Sequence, residues 1–125
     1  MKGKSPLIYM ALKLYHGAKK KEMKKYTLNI GLNDKDSKTQ EINDIESCSR
    51  IIESLNESLI DGYTIYNANG FYTYENGAQV NEKTIIVEIV NEKKEKILKA
   101  CNSIKRKLNQ ESILIQEYNI ESMFI

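Results

Sequence analysis

The sequence predicts an α+β fold with elements in the order β-α-β-β-α-β. Three observations predict it. Residues 43–60 and 91–108 place apolar side chains at helical spacing. The stretches around them alternate apolar and polar residues, as half-buried strands do. Between the helices, Asp61–Val90 holds two strand-like runs joined at Asn76-Gly77, a strong hairpin signal because both residues tolerate positive φ.

Residues 1–25 carry eight lysines against Glu22 alone. They are expected to form a basic arm, either flexible or a short amphipathic helix over Pro6–Lys21 with Leu7, Met10, Ala11 and Leu14 on one side. The apolar run Leu7–Leu12 ends at Lys13, lacks a small-residue cleavage site and is too short to span a bilayer. No membrane association is expected, and the cytoplasm is the expected compartment. His16, the only histidine, has no partner residues that would make it a catalytic base.

Tyr26–Leu32 alternates as the first strand, with Tyr26, Leu28, Ile30 and Leu32 on one face. Gly31 marks a turn or a close approach by another segment. Asn33–Ile42 is a polar loop. Asp34, Asp36 and Glu41 are hard-cation ligand types. A calcium loop counted from Asp34 needs glycine and glutamate where Thr39 and Ile45 stand. The loop is therefore expected to be solvated, with no metal.

The first helix spans 43–60, opened by an Asn43/Glu46 capping box and closed by Asp61-Gly62. Its stripe is Ile45, Cys48, Ile52, Leu55 and Leu59, with Ile51 beside it. On the next strand Tyr63, Ile65 and Asn67 point one way, and Thr64, Tyr66 and Ala68 the other. Gly70 suggests a bulge or a close backbone approach. Five aromatics lie between Tyr63 and Tyr74, half of the chain's eight Tyr and two Phe. Sheet core and cross-strand pairing would account for them. The functional alternative makes Tyr63, Tyr66, Phe71, Tyr72 and Tyr74 a surface for a ligand or a second subunit.

The return strand Lys83–Val90 sets Ile85, Val87 and Ile89 against Thr84, Ile86 and Glu88, and Glu88 marks the second face as partly open. Asn91 is a suitable N-cap for the second helix. The stripe there is Ile97, Leu98, Cys101, Ile104 and Leu108. Lys105, Arg106 and Lys107 complement the helix dipole, and Lys96, Lys99 and Arg106 are candidate anion contacts on an otherwise solvated face. Asn109-Gln110 ends the helix. Ser112–Tyr118 is the last strand, with Ile113 and Ile115 opposite Leu114 and Gln116. The apolar tail Asn119–Ile125 needs a place to dock: along the sheet, over it, or on a neighbouring subunit.

This order is the ferredoxin-like βαββαβ plan over residues 26–125, a four-stranded antiparallel sheet with two helices on one face. The other face has no covering layer. With tyrosines on the strands and an apolar tail, self-association through that face is expected.

The body after the arm is acidic except for the basic helix, unlike a dedicated nucleic-acid binder. Nucleic acid stays as an alternative through the arm and helix 91–108. Gly70–Tyr74 looks superficially like the aromatic motif of RNA-recognition domains, but on the second strand rather than the third. No catalytic constellation, glycine-rich phosphate loop or cofactor motif is present, so no cofactor and no catalytic residue is expected. A small enzyme on this scaffold, with Tyr63, Tyr66, Asn67 and Asn69 lining a pocket, is a further alternative. Cys48 and Cys101 fall on helix stripes and read as buried thiols in a reducing compartment, although the helices could pack close enough for a disulfide. The expected partners are a second copy, a small ligand or a host protein.

From Tyr26 to about Ile125 the chain resembles an uncharacterised bacterial domain-of-unknown-function family. The resemblance rests on Gly31-Leu32, on Asp61-Gly62-Tyr63-Thr64 with Ala68 and Gly70, and on Glu82-Lys83-Thr84. It implies no activity and no site residues. More loosely the plan is similar to nitrogen-regulatory PII-like proteins, trimers that bind nucleotides between subunits. The chain departs from them in its short hairpin after Tyr74 and in lacking their phosphate-binding residues.

Overall fold

The alternation of β-formers and amphipathic stretches is realised as six elements. In the computed structural model residues 20–125 are described. They form β1 (Lys21–Gly31), α1 (Asp44–Glu57), β2 (Thr64–Thr73), β3 (Gln79–Val90), α2 (Lys94–Lys107) and β4 (Leu114–Ser122). The sheet order is β2-β3-β1-β4 and every pair is antiparallel. The predicted helix over Pro6–Lys21 and His16 fall almost wholly outside the described residues. Lys21–Lys25, expected as the end of the arm, are strand. They pair with Tyr118–Ser122, so the C-terminal segment docks by extending the sheet.

The core lies between the sheet and the two helices. Leu28, Ile30, Ile85, Val87 and Ile89 point from the central strands into Ile51, Leu55, Ile97 and Ile104. Tyr26 and Leu32 complete the β1 face.

The helix stripes differ from the apolar count. α1 buries Ser47, Ile51, Ser54 and Leu55, while Ile45 is 85% and Leu59 69% exposed. α2 buries Ile97, Ala100, Cys101 and Ile104 and leaves Leu98 exposed. Small residues fill the helix–helix contact. The Ser54 and Ser103 hydroxyls meet at 2.8 Å, and each hydrogen bond made there removes the cost of burying the group. Lys107 reaches back to Glu53 (2.5 Å) and Glu57 (2.6 Å), and Arg50 Nη1 donates to the Lys107 carbonyl at 2.7 Å.

Asn43 caps α1 as expected, its Oδ1 accepting from the Glu46 N–H at 2.8 Å. The helix stops before Asp61-Gly62. Leu59 takes a positive φ of 59°, its N–H donates to the Asn56 carbonyl, and the Ile60 N–H donates to the Leu55 carbonyl. That is a Schellman turn closed by leucine instead of glycine. Leu59→Gly is expected to raise stability by about 0.5–1 kcal/mol by removing left-handed strain from an exposed position, read as a higher denaturation midpoint in urea. Asn109 (φ 48°) closes α2 in the same way. Asn91 does not cap α2: it has φ 59° and hydrogen-bonds Lys24, so it ends β3, while Lys93 stands at the N-cap without a side-chain bond.

Both cysteines are free thiols. Burial pushes the Cys101 thiol up to about 11, whereas Cys48 is half-buried. Brief iodoacetamide treatment of the native protein at pH 8 is expected to alkylate Cys48 alone, because thiolate is the reacting form. Intact mass would show one adduct, and two only after denaturation.

Candidate functional site: the open sheet face and its terminal cleft

Strand alternation divides the aromatics between two faces. β2 pairs with β3 in one unbroken register from Thr64↔Glu88 to Thr73↔Gln79, so Gly70 makes no bulge. The residue is instead a seat for a side chain. A Cβ there would stand 2.8 Å from the Tyr72 hydroxyl, which leans across it. With the register continuous, Tyr66, Tyr72 and Tyr74 share the open face. Tyr63 packs against the core, and its hydroxyl donates to Asn56 Oδ1 at 3.2 Å. Phe71 points to the helix side beyond the helices and is 75% exposed. The five predicted aromatics are therefore not one surface.

Across the open face, Tyr66, Ile86, Asn29 and Leu114 stand in one row over all four strands. Tyr118 and Ile120 continue it on β4. The centre of the face is polar. Tyr66 donates to Glu88 Oε2 at 2.7 Å and Lys25 Nζ lies 3.1 Å from Glu88 Oε1. The Tyr66 hydrogen bond, followed by the Lys25 one, holds the Glu88 carboxyl below its usual range. A depressed carboxyl adds stability that is complete above its unfolded value and fades as pH falls through the folded one. Tyr66→Phe is expected to move the Glu88 titration up, toward the ordinary value of about 4.3, and so to lower stability above about pH 5, with the difference from the wild type fading as the pH falls through the folded value. A carboxyl-carbon NMR titration reads this directly.

At one end of this face the sheet has a gap. β1 stops at Gly31, while β3 runs on to Gln79 paired only with β2. The overhanging hairpin turns at Gly77 (φ 85°), whose N–H donates to Tyr74. It forms one wall of a cleft of about 460 Å³, with Tyr72, Tyr74, Val80 and Glu82. The other wall is the loop after β1, with Lys35 and Lys38, and the start of β4 at Leu114.

Glu82 lies over Gly31. A Cβ on that glycine would come within 2.5 Å of the carboxylate, and Glu82 Oε2 accepts from the Asn33 N–H at 2.9 Å. This is the close approach that Gly31 suggests in the sequence. The loop is built from the inside. Asp34 accepts from the Asp36 and Ser37 N–H groups, and Asn109 Nδ2 donates to both Asp34 (2.8 Å) and Asp36 (2.9 Å). Gln110 Nε2 donates to the Asn33 carbonyl at 2.8 Å. The Asn109 bond, then those backbone donors, pull the Asp34 carboxyl below its ordinary value. Among the described residues no three metal-ligating side chains converge.

A second, flatter depression of about 820 Å³ lies beside the start of α1. Its lysine is already paired, Lys83 with Asp44 at 3.0 Å, and Gln40 also donates to Asp44. The cleft is the better candidate because among the described residues its lysines are not paired.

The predicted anion contacts are dispersed. Lys96 is occupied by the Leu59 carbonyl (3.0 Å) and Glu92 (3.3 Å). Lys99 and Arg106 lie on the exposed side of α2, two turns apart, and belong to neither depression.

A family model described as a protein of unknown function, DUF3574, matches residues 25–124. The chain belongs to the DUF3574 family. No curated protein sequence matches this DUF3574 member. Several solved structures share its fold. A phage SAM lyase in complex with S-methyl-5'-thioadenosine is 20% identical with TM-score 0.54, covering 80% of this chain and 90% of the lyase. CutA from Synechococcus elongatus is 9% identical with TM-score 0.56, covering 86% of each chain. CPII, a nitrogen regulatory PII-like protein from Thiomonas intermedia bound to ADP, AMP and bicarbonate, is 14% identical with TM-score 0.50. That match covers 83% of this DUF3574 chain and 98% of CPII. At these identities the likeness is one of fold, and it matches the ferredoxin-like, loosely PII-like plan. Among the described residues no helix is long and apolar enough to cross a membrane.

Proposed function

We propose that this protein is a non-enzymatic, homo-oligomeric binding or regulatory module. Copies pack through the open sheet face, and a small ligand sits in the cleft at its end. The observation that carries this reading is the apolar surface left exposed on that face among the described residues. Leu114 and Tyr118 are exposed on it, and Met123 and Ile125 are exposed just beyond, with no apolar layer over them among the described residues. Apolar surface gathered on one face favours a partner over solvent. The fold likeness to CutA and to a nucleotide-bound PII-like protein supports a small-ligand role. Two free thiols suit a reducing compartment such as the cytoplasm.

A native mass spectrum of gently purified protein tests the reading. A multiple of the protomer mass with a retained small molecule is the expected result. A bare monomer would overturn it.

The likeness to the phage SAM lyase, together with the Glu82 carboxylate beside Tyr72 and Tyr74, favours a second reading in which S-adenosylmethionine is cleaved. Incubation with S-adenosylmethionine should then release S-methyl-5'-thioadenosine, and no release removes that reading. Nucleic acid is less favoured. Phe71 and Tyr72 lie on opposite faces, and the open face of β3 carries no aromatic for base stacking.

A further inference from the structure

The cleft holds opposite charges that do not neutralise each other. Glu82 uses one carboxylate oxygen on the Asn33 N–H and has no cationic partner among the described residues. Lys35 and Lys38 line the same cleft, and among the described residues neither ammonium group is in salt-bridge contact with a carboxylate. No bridge joins them to Glu82, so the two signs face the same space across a gap. Asp34 and Glu111 line the loop side as well: the Asp34 oxygens are held by Asn109 and two backbone N–H groups, which fix the carboxylate in place but leave its charge, and Glu111 is exposed.

The walls also differ in kind. Tyr72 and Tyr74 stand on the hairpin wall with Glu82, and their ring faces attract cations. The loop wall offers lysine ammonium groups and is tied to the end of α2 by Asn109 and Gln110. The loop backbone and the Glu82 carboxylate are thus held before any ligand arrives, which lowers the ordering cost of binding. A volume of about 460 Å³ fits a small metabolite rather than a peptide.

We propose that the cleft binds a small zwitterion, with its ammonium end between Glu82 and the tyrosines and its acid end at Lys35 and Lys38. This inference rests on the reading of the cleft as a ligand site and names the ligand class. A neutral ring would leave both charges unmatched. A simple cation or anion would satisfy one wall only.

The probes are γ-butyrobetaine, its tert-butyl carba-analogue, which keeps the carboxylate and the shape but loses the positive charge, and choline, which keeps only the cation. Binding is followed through the Gly31 and Asn33 amide signals. γ-Butyrobetaine is expected to bind at least about tenfold more tightly than either control, since each control leaves one charged group of the cleft without a partner.

Glu82→Gln keeps the acceptor for Asn33 and should lose about tenfold of that affinity. Gly31→Ala should lose affinity as well, because its Cβ displaces the Glu82 carboxylate. Lys35→Ala with Lys38→Ala should reduce γ-butyrobetaine to the affinity of choline. Equal binding of all three probes, no amide shift with any, or an unaffected Glu82→Gln variant would overturn the proposal. The subunit count, measured on the same samples, is independent. An oligomer without zwitterion binding sinks this inference alone, and a monomer that binds the zwitterion sinks the interface reading alone.

Discussion

A Leu114→Lys, Tyr118→Lys double variant is expected to sediment as a single protomer and to retain the fold. Both side chains stand exposed on the open face of β4. Neither belongs to the core, whose β4 contribution comes from Ile115 on the other face. A lysine at either position is therefore solvated in the isolated protomer and costs it little. In the proposed assembly the same lysines would be desolvated against a second copy, at several kcal/mol for each unpaired ion. Association should fall by orders of magnitude while far-UV circular dichroism stays unchanged. A variant that assembles like the wild type would place the interface elsewhere.

Leu28→Ala is expected to be the most damaging truncation of the protomer. Leu28 sits in the middle of β1, paired with Val87 on one side and Ile115 on the other, and is completely buried. It faces Ile51, Leu55, Ile97 and Ile104 across the helix layer. A rigid strand between two neighbours cannot shift to fill the void, so the loss should be about 3–4 kcal/mol. For a domain of this size that is a fall in Tm of more than about 10 °C. Thr27→Ala, one residue away on the open face, should cost far less. Equal losses at the two positions would mean that the sheet faces are wrongly assigned.

The element order was legible because each strand and helix carries its own period, and because Asn76-Gly77 and Asn109 announce turns that only a few residues accept. The helix faces were less legible. The apolar count rotates α1 toward Ile45 and Leu59, but the helix buries Ser47, whose hydroxyl donates to the Ile42 carbonyl, and Ser54, whose hydroxyl meets Ser103 on α2. Leu59 in a left-handed cap gives no local signal at all. Asn91 has the right chemistry for a cap, and its positive φ puts that chemistry to a different use.

The site was only partly legible. The tyrosines of β2 stood out, but their division between two faces depends on whether Gly70 bulges, which sequence alone leaves open. Gly31 signalled a close approach without naming Glu82, because the carboxylate arrives from a strand fifty residues along the chain and pairing register decides the meeting. Lys35 and Lys38 looked like ordinary loop residues. What gives them meaning is the gap left where β1 ends before β3.

Sedimentation equilibrium of the wild type and the Leu114→Lys, Tyr118→Lys variant, side by side at micromolar concentration, tests the central claim most directly. The account predicts a whole-number multiple of the protomer mass for the wild type and one protomer for the variant. A wild type that sediments at the mass of one protomer would contradict it.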